Sequence, residues 1–168
     1  MSLCFVPEYR FKRFDLVSAE FLLSIGVRGI VLDVDNTLEP YENPTPTEAV
    51  VAWLGELRRA GICAAIVSNN NAQRIDLFNK ELGLVAYSKA GKPFKKSIVL
   101  AMERMGTDRS NTILMGDQVF TDVWAAHNAG IPAILVPPIR DKRDFFTRLK
   151  RFFEKPFLYK YERRRKNK

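Results

Sequence analysis

Two aspartates at the end of an apolar run are the residues of this chain best suited to chemistry. Asp33 and Asp35 follow residues 29–32, a run typical of a buried parallel strand. Ionised carboxylates are costly to bury unless a cation or hydrogen bonds compensate for the lost water. Because residues at i and i+2 of an extended chain point to the same side, both carboxylates can converge on one hard metal ion. Asp33 could then serve as a nucleophile and Asp35 as a proton donor or acceptor.

Polar residues at two other element boundaries are suited to holding a phosphate. Ser68 and Asn69 follow a second apolar run and precede a helix, whose first N–H groups can cradle phosphate oxygens. Lys92 lies just before another predicted helix, where it would add a fixed positive charge near the nucleophile. Lys89 remains an alternative for this role. Ser68 and Asn69 could also serve simply as caps of the following helix.

A second pair of acids, Asp117 and Asp122, follows a further apolar run. One Mg²⁺ held by Asp33, Asp35 and Asp117 would shield the charge of a phosphate from an attacking carboxylate. Asp122 is predicted to lie behind these ligands, fixing the lysine or a metal-bound water. Four groups of residues, at positions 33–35, 68–69, 92 and 117–122, together predict phosphoryl transfer at the carboxyl edge of a sheet.

Strand-like and helix-like segments alternate along the chain. Strands are predicted over 29–32, 62–67, 84–87, 111–115 and 131–136, and helices over 18–24, 45–60, 71–82, 93–105 and 120–129. The third helix of this series is bounded by Gly83, and the second begins in a capping-box pattern at Thr45 with Pro46 at its first helical position. This alternation predicts an α/β fold, in which a parallel sheet of about five strands carries helices on both faces.

Length and composition fit one globular domain. The chain has 168 residues, of which 46% are hydrophobic and 27% charged, and it contains two cysteines. Cys63 lies in an apolar run and is expected to be a buried thiol, so a disulfide scaffold is not expected. The amino terminus lacks the layout of a secretory signal, and the natural expectation is a cytoplasmic protein that could be peripheral at the inner membrane face.

Positive charge is concentrated at the carboxyl end. Residues 140–168 hold 13 Lys or Arg and 4 Asp or Glu, whereas the rest of the chain holds 14 and 15. We therefore divide the chain into an N-terminal appendage (1–28), a catalytic domain (29–139) and a basic amphipathic tail (140–168). An apolar stripe runs along the tail at helical spacing, formed by Phe145, Phe146, Leu149, Phe152 and Phe153. The stripe could pack on the domain or lie on an anionic membrane, and the basic end could also bind nucleic acid.

The four groups closely resemble the ordered motifs of the haloacid dehalogenase superfamily of phosphatases. The matching pattern is D-x-D-x-T from Asp33 to Thr37, then Ser68, then Lys92, then G-D-x-x-x-D ending at Asp122. The resemblance implies a Rossmann-like doubly wound sheet, a covalent aspartyl-phosphate intermediate and Mg²⁺. It implies that Thr37 supports the residues that contact substrate and metal, without contacting either itself.

The spacing of the motifs leaves no room for a cap domain on either side of Ser68, so the site should be open. The residues in and around the motifs are most similar to those of subfamily IIIA of this superfamily, and to the bacterial and mitochondrial phosphatidylglycerophosphate phosphatases. That resemblance implies a lipid head-group phosphate as the substrate, reached at an anionic membrane surface through residues 140–168. The alternatives are a phosphatase acting on nucleic-acid ends or a soluble phosphometabolite, and a non-enzymatic binding protein that uses its basic tail.

Overall fold

The computed structural model describes residues 5–140, 156–157, 159 and 161–163. The strands are β1 (Tyr9–Arg10), β2 (Gly29–Leu32), β3 (Cys63–Val67), β4 (Val85–Tyr87), β5 (Thr112–Gly116) and β6 (Ala133–Leu135). The helices are α1 (Ala19–Ser24), α2 (Glu48–Arg59), α3 (Ala72–Asn79), α4 (Lys96–Met105) and α5 (Trp124–Ala129). One parallel sheet joins all six strands in the order β1-β6-β5-β2-β3-β4, which confirms the predicted α/β fold.

Alternation along the central strand explains why helices cover both faces of the sheet. Ile30 and Leu32 of β2 point into a core shared with α1, α2 and α3, whereas Val31 points into a second core shared with α4 and α5. All three side chains are fully buried. A strand buried on both faces reads as a continuous apolar run, and this is the signal that the sequence carries at 29–32.

The sheet has one strand more than the sequence predicts. Tyr9–Arg10 pairs in parallel with β6 and forms the edge of the sheet. The carboxylate of Glu8 stabilises this edge, since it accepts the Ala133 N–H at 2.7 Å and lies 3.1 Å from Nε2 of His127. A strand of two residues has too few positions to show a periodic pattern, which is why the sequence gives no sign of it.

Helix starts differ from prediction more than strands do. Helix α2 begins at Glu48 and not at Pro46, since Thr47 has extended backbone and is the N-cap. The N–H of Thr47 donates to the carboxylate of Glu39 at 3.0 Å. Helix α4 begins at Lys96, three residues after the predicted start at 93. A π-helical turn, Val119–Val123, precedes α5 where the sequence predicts ordinary helix.

Two further expectations concern Cys63 and the tail. The Cys63 side chain is exposed, so the prediction of a buried thiol is wrong: the residue opens β3, before the strand enters the core. The predicted apolar stripe of the tail lies outside the described residues. Within the described part of the tail, the Phe157 ring packs against the rings of Phe5 (5.1 Å) and Phe120 (5.9 Å). No helix among the described residues is long and apolar enough to cross a bilayer.

Candidate active site

The carboxyl ends of three adjacent strands bring the first site residues together. Asp33, Ser68 and Asp117 each come one residue after a strand, namely β2, β3 and β5. Asp33 donates its N–H to the carbonyl of Met115 at 3.0 Å, and Ser68 donates its N–H to the carbonyl of Tyr87 at 2.9 Å. These bonds extend the strand ladders past their ends, so the three side chains emerge at the same edge of the sheet.

Lys92 lies between two buried carboxylates. Its Nζ is 2.7 Å from Oδ1 of Asp33 and 2.6 Å from Oδ1 of Asp122, and all three side chains are buried. The Asn69 side chain holds the lysine backbone in place, because it accepts the Lys92 N–H at 2.7 Å and donates to its carbonyl at 3.1 Å. The structure thus brings Lys92 to the acids, whereas Lys89 is exposed.

A glycine and a π-helical turn position Asp122. Its Oδ2 accepts the N–H of Gln118 at 3.0 Å, and its own N–H donates to the Gln118 carbonyl at 2.9 Å. A Cβ on Gly116 would overlap the Asp122 carboxyl group, so only glycine allows this approach. Single π-helical turns often occur at functional sites, and here the turn aims a carboxylate at the lysine.

Three carboxylates, those of Asp33, Asp117 and Asp122, form a group whose oxygens can lie within 4.8 Å of one another. The Thr37 hydroxyl lies 3.3 Å from the Asp33 carboxylate and 3.4 Å from that of Asp117, so it can donate to either one. When all are ionised, the three acids exceed the charge of Lys92 by two. Oxygen donors with this excess of buried negative charge fit a hard divalent cation such as Mg²⁺.

Burial dominates the protonation of this group. Desolvation raises the pKa of Asp33 to about 6, although the positive charge of Lys92 opposes the shift. It also raises the pKa of Asp117 to about 8, with further contributions from the charges of Asp122 and Asp33. Burial alone would lower the pKa of Lys92, but the Asp122 and Asp33 carboxylates outweigh it, so the pKa rises and the amine stays charged.

Asp35 lies apart from the three clustered carboxylates, although the sequence predicts it as a metal ligand. Its carboxylate contacts Arg74 of α3 at 3.2 Å and accepts from Nδ2 of Asn70 at 2.7 Å. A tight turn starts here, in which Asn36 has a positive φ of 64°. Asn tolerates this left-handed conformation better than most residues, and the turn sends Asp35 toward α3.

Ser68 and Asn69, the residues predicted to bind phosphate, follow β3 at the same edge of the sheet as Asp33. The Ser68 hydroxyl accepts the Asn70 N–H at 3.1 Å, so its proton can be donated to a substrate oxygen. Asn69 is exposed at the rim of the site, and its side chain is engaged with Lys92. A phosphate contact of Asn69 would therefore use its backbone N–H.

Two residues beside the site, Arg74 and Glu39, are not predicted by any sequence pattern. Glu39 is buried, and its carboxylate accepts from Asn43 and from the Thr47 N–H, which fixes the loop between β2 and α2. Arg74 contacts Asp35 across 39 residues of the chain, and neither Arg74 nor Glu39 belongs to a motif. The one local signal is that Glu39 lies two residues after the end of the D-x-D-x-T pattern, as an acid beside the apolar Leu38.

Within residues 5–140, no cap domain covers this edge of the sheet. The interval from Thr37 to Ser68 holds one loop, α2 and β3, and the interval from Ser68 to Lys92 holds α3, β4 and their connections. Asp35 and Asn69 consequently border solvent. Over residues 5–140, the site is therefore open, as predicted.

Comparison with known proteins identifies the class of this site. The family model of haloacid dehalogenase-like hydrolases matches residues 19–130. The chain therefore belongs to the haloacid dehalogenase-like hydrolase family and is an enzyme. It is also similar to the probable phosphatase YqeG of Bacillus subtilis, with 34% identity over 160 residues that cover 95% of this chain and 93% of that protein.

Solved structures share the fold at low sequence identity. CbbY from Rhodobacter sphaeroides, in complex with phosphate, superposes with a TM-score of 0.57 at 13% identity and covers 71% of this chain and 90% of its own. The cobalt-bound deoxy-D-mannose-octulosonate 8-phosphate phosphatase YrbI from Haemophilus influenzae superposes with a TM-score of 0.54 at 14% identity. The superposition covers 82% of this chain and 90% of that protein. These likenesses support the Rossmann-like arrangement of the sheet.

The raised pKa values predict that rising pH lowers the stability of metal-free protein and enlarges the stabilising effect of Mg²⁺. The folded pKa of Asp117, about 8, exceeds its ordinary value of 3.8, so its stabilising proton is lost as pH rises through 8. In a chelator, the free energy of unfolding should therefore fall between pH 6 and pH 8.5. Added Mg²⁺ competes with that proton, so its stabilising effect should be larger at pH 8.5 than at pH 6.

Urea unfolding at the two pH values, with and without Mg²⁺, measures both effects. Asp117→Asn removes the titrating group and should abolish most of the pH dependence, while the exposed Asp76→Asn on α3 serves as a control. An equal Mg²⁺ effect at both pH values in the wild-type protein would contradict this account of the site.

Proposed function

We propose that this enzyme is a Mg²⁺-dependent phosphatase that hydrolyses a phosphomonoester through a covalent intermediate on Asp33. The observation that carries the proposal is the buried contact of Lys92 with Asp33, beside the carboxylate of Asp117. The similarity to YqeG, named a probable phosphatase, also supports it. Bound Mg²⁺ would neutralise phosphate charge, and Asp33 and Asp117 would hold it.

In the first step, an oxygen of the Asp33 carboxylate attacks phosphorus, and the bond between phosphorus and the ester oxygen breaks. Lys92 and the Ser68 hydroxyl hold phosphate oxygens during this transfer. Asp35 gives its proton to the departing alkoxide, which leaves as an alcohol. Because Lys92 is fixed by Asp122, its charge needs no rearrangement as the transition state forms.

In the second step, water attacks the phosphorus of the aspartyl phosphate. Asp35, now ionised, takes a proton from that water, and the bond between Asp33 and phosphorus breaks. Inorganic phosphate and a free Asp33 carboxylate result, with Asp35 protonated again. The sum of both steps is one ester and one water converted to one alcohol and one phosphate.

Replacing the nucleophile tests this function. Asp33→Asn keeps the size of the side chain but lacks the attacking carboxylate, so release of phosphate from an aryl phosphate should fall by at least about a thousandfold. The exposed Asp76→Asn should retain the wild-type rate. Equal rates for Asp33→Asn and the wild type would refute Asp33 as the nucleophile.

For the substrate, we propose a lipid head-group phosphate, namely that of phosphatidylglycerol phosphate, and membership of subfamily IIIA. The open site supports a phosphate carried on a large assembly, because nothing within residues 5–140 closes over it. Phe94, two residues after Lys92, is 75% exposed. Ile139 is also exposed, and its N–H donates to the Asn36 carbonyl of the first motif at 2.9 Å. Apolar side chains beside an open site suit a lipid surface.

The basic tail supports the same proposal. Each Lys or Arg near an anionic membrane contributes about 1 kcal/mol, so the excess of positive charge in residues 140–168 would hold the enzyme at the cytoplasmic face. Part of the tail is anchored on the domain, since Arg10 pairs with Glu162 at 3.4 Å and stacks over the Tyr161 ring. The anchored residues would keep the basic end close to the phosphatase domain.

Neutralising the end of the tail separates lipid from soluble substrates. Replacing the five basic residues after Glu162 by Gln, namely Arg163, Arg164, Arg165, Lys166 and Lys168, should lower binding to anionic vesicles by at least about tenfold. Hydrolysis of phosphatidylglycerol phosphate in mixed micelles should fall with it, whereas release of phosphate from a soluble aryl phosphate should be unchanged. Neutralising exposed Arg58 and Arg59 of α2 is the matched control.

Other outcomes of this comparison would contradict the lipid substrate. If wild-type protein hydrolyses a nucleotide or a sugar phosphate faster than the micellar lipid, the substrate is soluble. If the tail retards RNA in a gel and ignores anionic vesicles, its partner is nucleic acid and the phosphatase acts at nucleic-acid ends.

A further inference from the structure

Arg74 occupies a defined position between α3 and the first motif. Its Nε donates to Oδ1 of Asp35 at 3.2 Å, and its Nη1 donates to the carbonyl of Pro44 at 3.0 Å. The guanidinium carbon lies 5.3 Å from the centre of the Phe78 ring, which is fully buried. Only 9% of the Arg74 side chain is exposed. The guanidinium is therefore held by Asp35, Pro44 and Phe78, and its Nε and Nη2 face Asp35.

One nitrogen of that edge is not satisfied. Nη2 of Arg74 is buried and has no hydrogen-bond partner among the described residues. It lies 3.2 Å from the same Oδ1 of Asp35, so it makes an ion-pair contact there without the alignment of a hydrogen bond. A buried donor left in this state costs free energy, and each such group in a folded protein requires an explanation.

Asn70 holds the other oxygen of the same carboxylate. Its Nδ2 donates to Oδ2 of Asp35 at 2.7 Å, and its Oδ1 accepts the N–H of Asn71, which in turn caps α3. Both oxygens of Asp35 are thus held from α3 and the turn before it. The carboxylate has donors around it that suit its ionised form.

We propose that Arg74 is the positioning residue for the acid–base step, an inference that rests on the proposed function. Asp35 becomes an anion when it gives its proton to the leaving alkoxide. The guanidinium already faces it, and its unsatisfied Nη2 is ready to complete a second hydrogen bond as that charge forms. Donors fixed in advance where charge develops lower the barrier without rearrangement. Arg74 acts through Asp35 and contacts no reacting atom itself.

This role predicts a dependence on the leaving group. An alkoxide is a poor leaving group and needs the proton of Asp35, whereas a nitrophenolate leaves readily without it. Loss of Arg74 should therefore slow hydrolysis of an alkyl phosphate and spare that of an activated aryl phosphate. A merely structural role would slow both substrates by the same factor.

The test compares kcat/KM for glycerol 3-phosphate and p-nitrophenyl phosphate in wild-type, Arg74→Gln and Arg74→Lys proteins. This parameter covers only the steps up to release of the alcohol, so the later hydrolysis of the intermediate does not enter. The ratio of the two substrates in one preparation also cancels any loss of folded protein. In Arg74→Gln, the ratio of alkyl to aryl activity should fall by about tenfold or more, with an intermediate ratio for Arg74→Lys.

The exposed Arg58→Gln on α2 is the matched control and should keep the wild-type ratio. An unchanged ratio in Arg74→Gln overturns the positioning role, whether the two activities fall together or not at all. If wild-type protein hydrolyses neither compound, the proposed function fails and this inference fails with it. If Asp33→Asn is inactive while the Arg74→Gln ratio is unchanged, only the role of Arg74 is wrong.

Discussion

The contact of the Lys92 ammonium with the carboxylates of Asp33 and Asp122 is the interaction on which the rest of the site depends. Three buried acids within reach of one another would repel strongly, and burial alone already raises the pKa of Asp33 and of Asp117. The positive charge of Lys92 compensates part of this negative charge. The amine stays protonated because the carboxylates of Asp33 and Asp122 raise its pKa. The remaining negative charge makes the site suited to a divalent cation and to a phosphate brought with it.

The fold supplies this contact from elements far apart in the chain. Parallel strands β2 and β5 place Asp33 and Asp117 side by side, because the two strands are neighbours in the sheet. Gly116 lets the π-helical turn bring Asp122 against the backbone, and Asn69 holds the peptide of Lys92 from the end of β3. The chemistry of the site is therefore a consequence of strand order, and helices on both faces keep that order buried and rigid.

Much of this arrangement could be predicted because it follows local rules. Asp33, Ser68 and Asp117 come directly after buried apolar runs, and such residues of a parallel sheet gather at one edge. Arg74 could not be predicted, since its tie to Asp35 joins α3 to the first motif through side-chain directions that no pattern encodes. Strand β1 has only two residues, which is too few to show the alternation typical of a strand. Cys63 is exposed because β3 enters the core only after its first residues. The capping-box pattern at Thr45 also predicted the start of α2 two residues too early, because Thr47 is extended and serves as the N-cap.

The central claim is that phosphate is transferred to Asp33 itself. The most direct measurement is to mix the protein with Mg²⁺ and an aryl phosphate, quench with acid within one turnover, reduce with borohydride and sequence the peptides by mass spectrometry. Borohydride converts an aspartyl phosphate to homoserine, so we expect homoserine at position 33 and nowhere else. Phosphate released with position 33 still aspartate at every time point, or homoserine at another aspartate, would refute Asp33 as the phosphate acceptor.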